Sequence, residues 1–111
     1  QLVSGAEIYN RCAIAADDSG SPDARVSSAQ AADEMLGIAG VDASFVIFCT
    51  PDGGINISAR SLGAMNVQII MEKLGGGGHQ TMAAAQFSGI NVHEAKAKLI
   101  SAIDEHIANI S

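Results

Sequence analysis

The residues able to do chemistry converge on one short stretch and one strand end. Leu74-Gly75-Gly76-Gly77-Gly78-His79-Gln80-Thr81-Met82-Ala83-Ala84 holds four consecutive glycines followed by an imidazole. Glycine has no side chain to pack and the most backbone entropy to lose on folding. A folded chain keeps such a run where the backbone turns sharply, takes positive φ, or lets a ligand approach its N–H groups. Helix-compatible residues flank it, Val67 to Leu74 before and Gln80 to Ala85 after, so it reads as a helix stop followed by a helix or turn start. Free N–H groups at such a start, with the positive end of a helix dipole, form an anion site. His79 adds a group that can donate to phosphate or transfer a proton. A flexible linker is the competing reading. The absence of Ser and Pro from the run, and its apolar periodic flanks, weigh against it. Neither a Gly-x-x-x-x-Gly-Lys-Ser/Thr loop nor a strand running into Gly-x-Gly-x-x-Gly is present.

Arg60 is the second candidate. Ile55, Ile57 and Ala59 alternate with Asn56, Ser58 and Arg60, the pattern of a half-buried strand whose polar face ends in a guanidinium. Arginine recognises phosphate bidentately, and the glycine loop could meet it at one rim of the sheet. Arg60 and His79 are the leading candidates, with Ser58, Ser61 and Asn66 as secondary polar contacts. Asn66 reads better as a plain N-cap. His93 and His106, on the last helix, read as ordinary surface residues. Asp17-Asp18 and Asp33-Glu34 have no His at ligand spacing, so no metal site is expected in this chain.

The elements that must position these groups follow from period and punctuation. Glu7 to Ala16 reads as a first strand, and Asp17 to Pro22 as a loop. A helix starting near Ser21-Pro22 or at Ser27 runs to about Ala39, with Val26, Ala29, Ala32, Leu36 and Ala39 on one face and Gly40 behind it. Ser44 to Thr50 is a buried central strand, and Pro51-Asp52-Gly53-Gly54 supplies the turn into the Ile55 strand. Asn66 opens a helix carrying Val67, Ile70, Met71 and Leu74, which Gly75 stops. Ala84 to Phe87 forms a short last strand. Asn91 with Glu94 is a capping box for a helix through Ala95, Leu99, Ala102, Ile103, Ile107 and Ile110. The order is β-α-β-β-α-(Gly loop)-β-α, an α+β fold in which a mixed sheet carries helices packed against it.

Composition narrows the function classes. The chain has 111 residues, enough for one domain with a core, and that core must be aliphatic because aromatics are only 4%. A net charge of −6 argues against a broad nucleic-acid surface, but leaves room for a small anion held locally. Cys12 and Cys49 read as buried reduced thiols, and with no Cys-x-x-Cys pairing a zinc site is not expected. No apolar run is long enough to span a bilayer, and no signal-peptide pattern is present. Because it begins with Gln, the chain is expected to be a piece of a longer protein.

Ile57-Ser58-Ala59-Arg60-Ser61, Asn66-Val67 opening a helix, Gly75 to His79 and Ala83-Ala84 together resemble the DHHA1 domain of the DHH phosphoesterases. Ser61-Leu62-Gly63, Met71-Glu72-Lys73-Leu74 and Val41 to Ile47 are similar to the form found in bacterial cyclic-di-AMP phosphodiesterases. The resemblance spans nearly the whole chain. It implies that a preceding DHH domain holds manganese in an Asp/His cluster and hydrolyses a phosphodiester. The DHHA1 domain closes over the cleft and binds substrate, with Arg60, Ser61 and Gly76 to His79 in the matching positions. The Asp-His-His motif and the other metal ligands are missing, so this chain alone should bind nucleotide weakly and hydrolyse nothing. A cyclic dinucleotide or short oligonucleotide, a DHH domain of the same protein and a homodimer of the parent are the implied partners. The resemblance also implies a cytoplasmic domain of a membrane-anchored parent, without membrane contact of its own.

Three other functions compete. One is the equivalent module of an oligoribonuclease or of a 3′-phosphoadenosine 5′-phosphate phosphatase. Another is a nucleic-acid-binding appendage, for which one Tyr, no Trp and six basic residues offer little. The third is a structural or dimerisation module, which leaves Gly75 to His79 unexplained.

Overall fold

The computed structural model describes residues 6–110. Its elements in chain order are β1 (Glu7–Tyr9), β2 (Cys12–Asp17), α1 (Ala24–Met35), β3 (Ala43–Cys49), β4 (Ile55–Ser61), α2 (Val67–Lys73), β5 (Gly77–Gly78), β6 (Met82–Phe87) and α3 (Val92–Ile110). The strands make one sheet, β1-β2-β3-β4-β6-β5. Among the described strands β2 and β3 run parallel, joined by α1 as the crossover, and the other pairs are antiparallel. The α+β architecture expected from the sequence is the one observed.

Alternation along the central strands assigns the two faces. Phe45, Ile47, Ile57 and Ala59 pack with α2 and α3, whose Val67, Ile70, Met71, Leu99 and Ile103 complete the larger core. Ala13, Ala15 and Val46 point the other way, against Ala31, Ala32 and Met35 of α1. Alanines on both sides let α1 lie close, and the Ser44 hydroxyl donates to the Ala32 carbonyl oxygen at 2.5 Å. Ser28, also under α1, is fully buried and its hydroxyl has no partner among the described residues. Replacing it with alanine removes an unsatisfied polar group without opening a cavity of note. Ser28→Ala is therefore expected to stabilise by about 1 kcal/mol in urea denaturation.

Several boundaries differ from the sequence reading, each for a local reason. The first strand is two: Asn10 and Arg11 both take positive φ, making a two-residue hairpin turn between β1 and β2. The Arg11 guanidinium bonds both Asp42 carboxylate oxygens, at 2.6 and 3.1 Å, and ties that hairpin to the start of β3. Helix α1 stops at Met35 rather than Ala39, because Leu36, Gly37 and Ile38 donate to carbonyls three residues back. Its buried face is Ala24, Ser28, Ala31, Ala32 and Met35, whereas Val26, expected inside, is 62% exposed. The caps hold as read: Asn66 accepts from the Ile69 N–H, and Asn91 and Glu94 exchange the two bonds of a capping box.

Candidate functional site

Beyond the edge of α1, the sheet face over β4 and β6 is open. Asn56, Ser58 and Arg60 face Gln86, Ala84 and Met82 in register on this side. The opposite side of these strands is sealed by Ile55, Ile57, Ala59, Ala83 and Ala85 against α2 and α3. The polar face of β4 was expected to be free. It is instead half covered: Asn56 is buried, while Ser58 and Arg60 are part-exposed beside α1. Arg60 donates through Nε to Asp33 of α1 at 3.1 Å and through its terminal nitrogen to the Ala59 carbonyl at 2.9 Å. These bonds aim the guanidinium and leave it further donors.

His79 stands at the same end. It exchanges backbone hydrogen bonds with Met82, its N–H donating at 2.6 Å and its carbonyl accepting at 3.3 Å. Residues so paired share a face, and Met82 lies opposite Arg60. The exposed imidazole has no hydrogen-bond partner among the described residues. Arg60, Ser58 and His79 are thus brought to one open face.

The glycine run does a different job from the one expected. It follows the C-terminal end of α2 and enters a hairpin, β5 to β6, not a helix, so no positive helix end points at it. Gly75, at φ +86°, turns the chain out of α2. Its N–H donates to Glu72 and that of Gly76 to Met71. Ladder alternation pairs Gly77 with Ala84 and leaves the Gly78 N–H at the sheet edge. Gly76 and Gly78 exist because their backbones press on β6. A Cβ on Gly76 would meet the Ala84 carbonyl oxygen and stand 2.7 Å from the Ala85 Cα. One on Gly78 would stand 2.5 Å from the Ala83 Cα. Gly77 is unlike both: its Cβ would meet nothing within 4 Å, on the side it shares with Ala84. Its missing side chain keeps the open face clear.

Ser61 and Asn66 lie on the other side. The buried Ser61 hydroxyl donates to the Gln80 carbonyl at 3.2 Å and accepts the Gly63 N–H. The Gln80 carbonyl also takes the Val67 N–H, and the Gln80 amide donates to Gly63 at 3.0 Å. Together these lock the turn that presents His79. The sequence gives no signal for Gln80, since its role exists only once β4, α2 and the hairpin meet. His106, expected at the surface, is buried (3% exposed), and its Nε2 accepts the Asn66 N–H at 3.4 Å. Burial first, and the Lys73 charge second, lower its pKa below the ordinary histidine value.

Cys12 and Cys49 are free thiols, the first buried and the second half-buried. Burial, with help from the Asp42 charge, pushes the Cys12 thiol up to about 12, so it is no nucleophile. Among the described residues no three His, Cys, Asp or Glu converge to hold a metal. No described helix is long and apolar enough to cross a membrane.

Residues 13–109 match the DHHA1 domain family. The chain is 53% identical over 107 residues, 96% of its length, to the cyclic-di-AMP phosphodiesterase PdeA of Listeria monocytogenes. It is 55% identical over 82 residues, 74% of its length, to the cyclic-di-AMP phosphodiesterase GdpP of Bacillus subtilis. It spans only 16% and 12% of those two proteins. Among solved structures, an exopolyphosphatase-related protein from Bacteroides fragilis superposes with a TM-score of 0.79 at 21% identity. That match covers 94% of this chain and 32% of the other, and speaks for the fold.

Proposed function

This chain belongs to the DHHA1 domain family, and from that premise we propose that it is the substrate-binding module of a DHH phosphodiesterase acting on cyclic dinucleotides, cyclic-di-AMP foremost. Arg60 and His79 hold the substrate's phosphate, and a DHH domain of the same protein closes over the open face and performs the hydrolysis. The supporting observation is the unpartnered His79 imidazole standing on the same bare sheet face as the tethered Arg60 guanidinium. Identity to two proteins named cyclic-di-AMP phosphodiesterases favours that substrate class. Any manganese and any membrane anchor belong to parts of the protein outside this chain, and the module works on the cytoplasmic side.

Asp33 is 65% exposed while the Arg60 side chain is only 13% exposed, so water screens the pair from the Asp33 side alone. A phosphate offering charge-assisted bonds can share the guanidinium or draw it away. The test is calorimetric titration of the full-length protein with cyclic-di-AMP, its linear product and 3′-phosphoadenosine 5′-phosphate. His79→Ala and Arg60→Ala should each weaken binding about tenfold or more, the worth of one lost charge-assisted bond. Asp33→Asn should strengthen it by removing the competing carboxylate. Unchanged affinity in both alanine variants would remove this site from consideration, and a preference for the mononucleotide would favour the phosphatase reading.

A further inference from the structure

The open face does not end at Arg60. On α1, Arg25, Ala29 and Asp33 stand four residues apart, along one flank of the helix. Asp33 pairs with Arg60, and Arg25 reaches Asn56 at the other end of β4. The eight-residue helical span is about 12 Å long, and the four-residue strand span is about 13 Å. Helix flank and strand therefore run side by side as wall and floor of one trough. Ala29, Ser58 and Ala84 line its middle, and all three are small.

The far end widens into a groove of about 850 Å³. Arg25 there forms no ion pair among the described residues. The buried Asn56 amide steers it: turned so that both of its ends are satisfied, its oxygen accepts from the guanidinium at 3.1 Å and its nitrogen donates to the Ile55 carbonyl. Asp52, on the rim, is occupied within its own turn, accepting from the Thr50 hydroxyl and the Gly54 N–H. Gln86 lies opposite Asn56 on the neighbouring strand, exposed, with no hydrogen bond from its side-chain amide among the described residues. A guanidinium with donors to spare, near the Asp52 charge, beside an exposed carboxamide offers a charge for phosphate and a paired donor and acceptor for a base edge.

We propose that the Arg25–Gln86 end of the trough is a second-nucleotide subsite, which makes this module selective for substrates of at least two nucleotide units. Arg25 takes the distal phosphate and Gln86 the Watson–Crick or Hoogsteen edge of the distal base. The first unit lies at Arg60 and His79, so the inference rests on the function proposed above. The separation of the two ends is too long for a mononucleotide to bridge and suits a dinucleotide lying along the strands.

The test uses the full-length protein, titrated with linear 5′-phosphorylated diadenylate and with 3′-phosphoadenosine 5′-phosphate. Arg25→Ala and Gln86→Ala are expected to weaken diadenylate binding about tenfold each and to leave the mononucleotide unchanged. Arg25→Lys should recover part of the loss. Both side chains are exposed, so the variants should keep the wild-type melting temperature, which circular dichroism checks. Unchanged diadenylate affinity in both variants, or equal loss for both ligands, overturns the subsite. If His79→Ala abolishes binding while these variants do nothing, the phosphate site stands and the subsite falls. If His79→Ala is also silent, the proposed function falls with it.

Discussion

Gly76→Ala is expected to prevent stable folding or to cost at least about 3 kcal/mol, while Gly77→Ala, one residue on, leaves stability unchanged or slightly raised. At position 76 the added methyl would drive into the Ala84 carbonyl and the Ala85 Cα, both backbone of β6. Backbone in the middle of a sheet cannot rotate away, so the clash must be relieved by moving β5 off the sheet. Overpacking that displaces backbone sits at the upper end of what single substitutions cost. At position 77 the methyl meets nothing. Alanine there restricts the unfolded chain and gains about 0.5–1 kcal/mol over glycine. Urea denaturation of the two variants separates them, and equal behaviour would mean the hairpin does not press on β6 as described. A larger residue, Gly77→Val, should then keep the fold but obstruct the open face, weakening ligand binding without lowering the denaturation midpoint. One glycine run thus holds structural and functional glycines at alternate positions.

The second large effect is loss of stability in mild acid through His106. Its buried Nε2 accepts the Asn66 N–H at the start of α2. A protonated ring has no lone pair to offer and would set donor against donor, while Lys73, paired with Glu105 at 2.7 Å, adds a nearby positive charge. Burial first, and the Lys73 charge second, hold the folded-state pKa below the ordinary value of 6.5. In the unfolded chain the imidazole takes up its proton first, so the unfolded state binds more protons and stability rises with pH. The contribution is fully present above about pH 6.5 and is lost as pH falls from there through the folded-state pKa. Asp42 and Asp52, whose pKa values are lowered by Arg11 and by Thr50, weaken the fold only at more acidic pH. His106→Leu should flatten the slope below pH 6.5. At pH 8 it should cost about 1 kcal/mol, because the part-buried Asn66 N–H then loses its acceptor. Denaturation midpoints against pH, wild type beside His106→Leu, measure both. A slope that survives the substitution would assign the acid sensitivity elsewhere. Since the Val67 N–H next to that cap holds the Gln80 carbonyl, acid loosening here should reach the turn that presents His79.

Features that depend on neighbours along the chain are legible in the residues themselves. The Asn66 cap, the Asn91–Glu94 capping box, the Gly75 stop and the alternation of Ile55, Ile57 and Ala59 are local, so residue type and spacing suffice. The combination of Arg60-Ser61 with the glycines and His79 carried the family for the same reason. Tertiary structure alone decided which groups meet. Helix α1 is alanine-rich, so several of its faces are nearly equal in hydrophobicity. The sheet chose Ala24, Ser28, Ala31, Ala32 and Met35 because small residues there fit Ala13, Ala15 and Val46. That choice placed Arg25 and Asp33 on the flank beside β4, one at each end of the trough. His106 was hidden because a histidine on a helix is ordinarily exposed, and only the crossing of α3 over the start of α2 buries it. The glycine run promised a nest of free N–H groups, yet most of them are spent on α2, β6 and the hairpin turn, a fate set by strand pairing across the sheet.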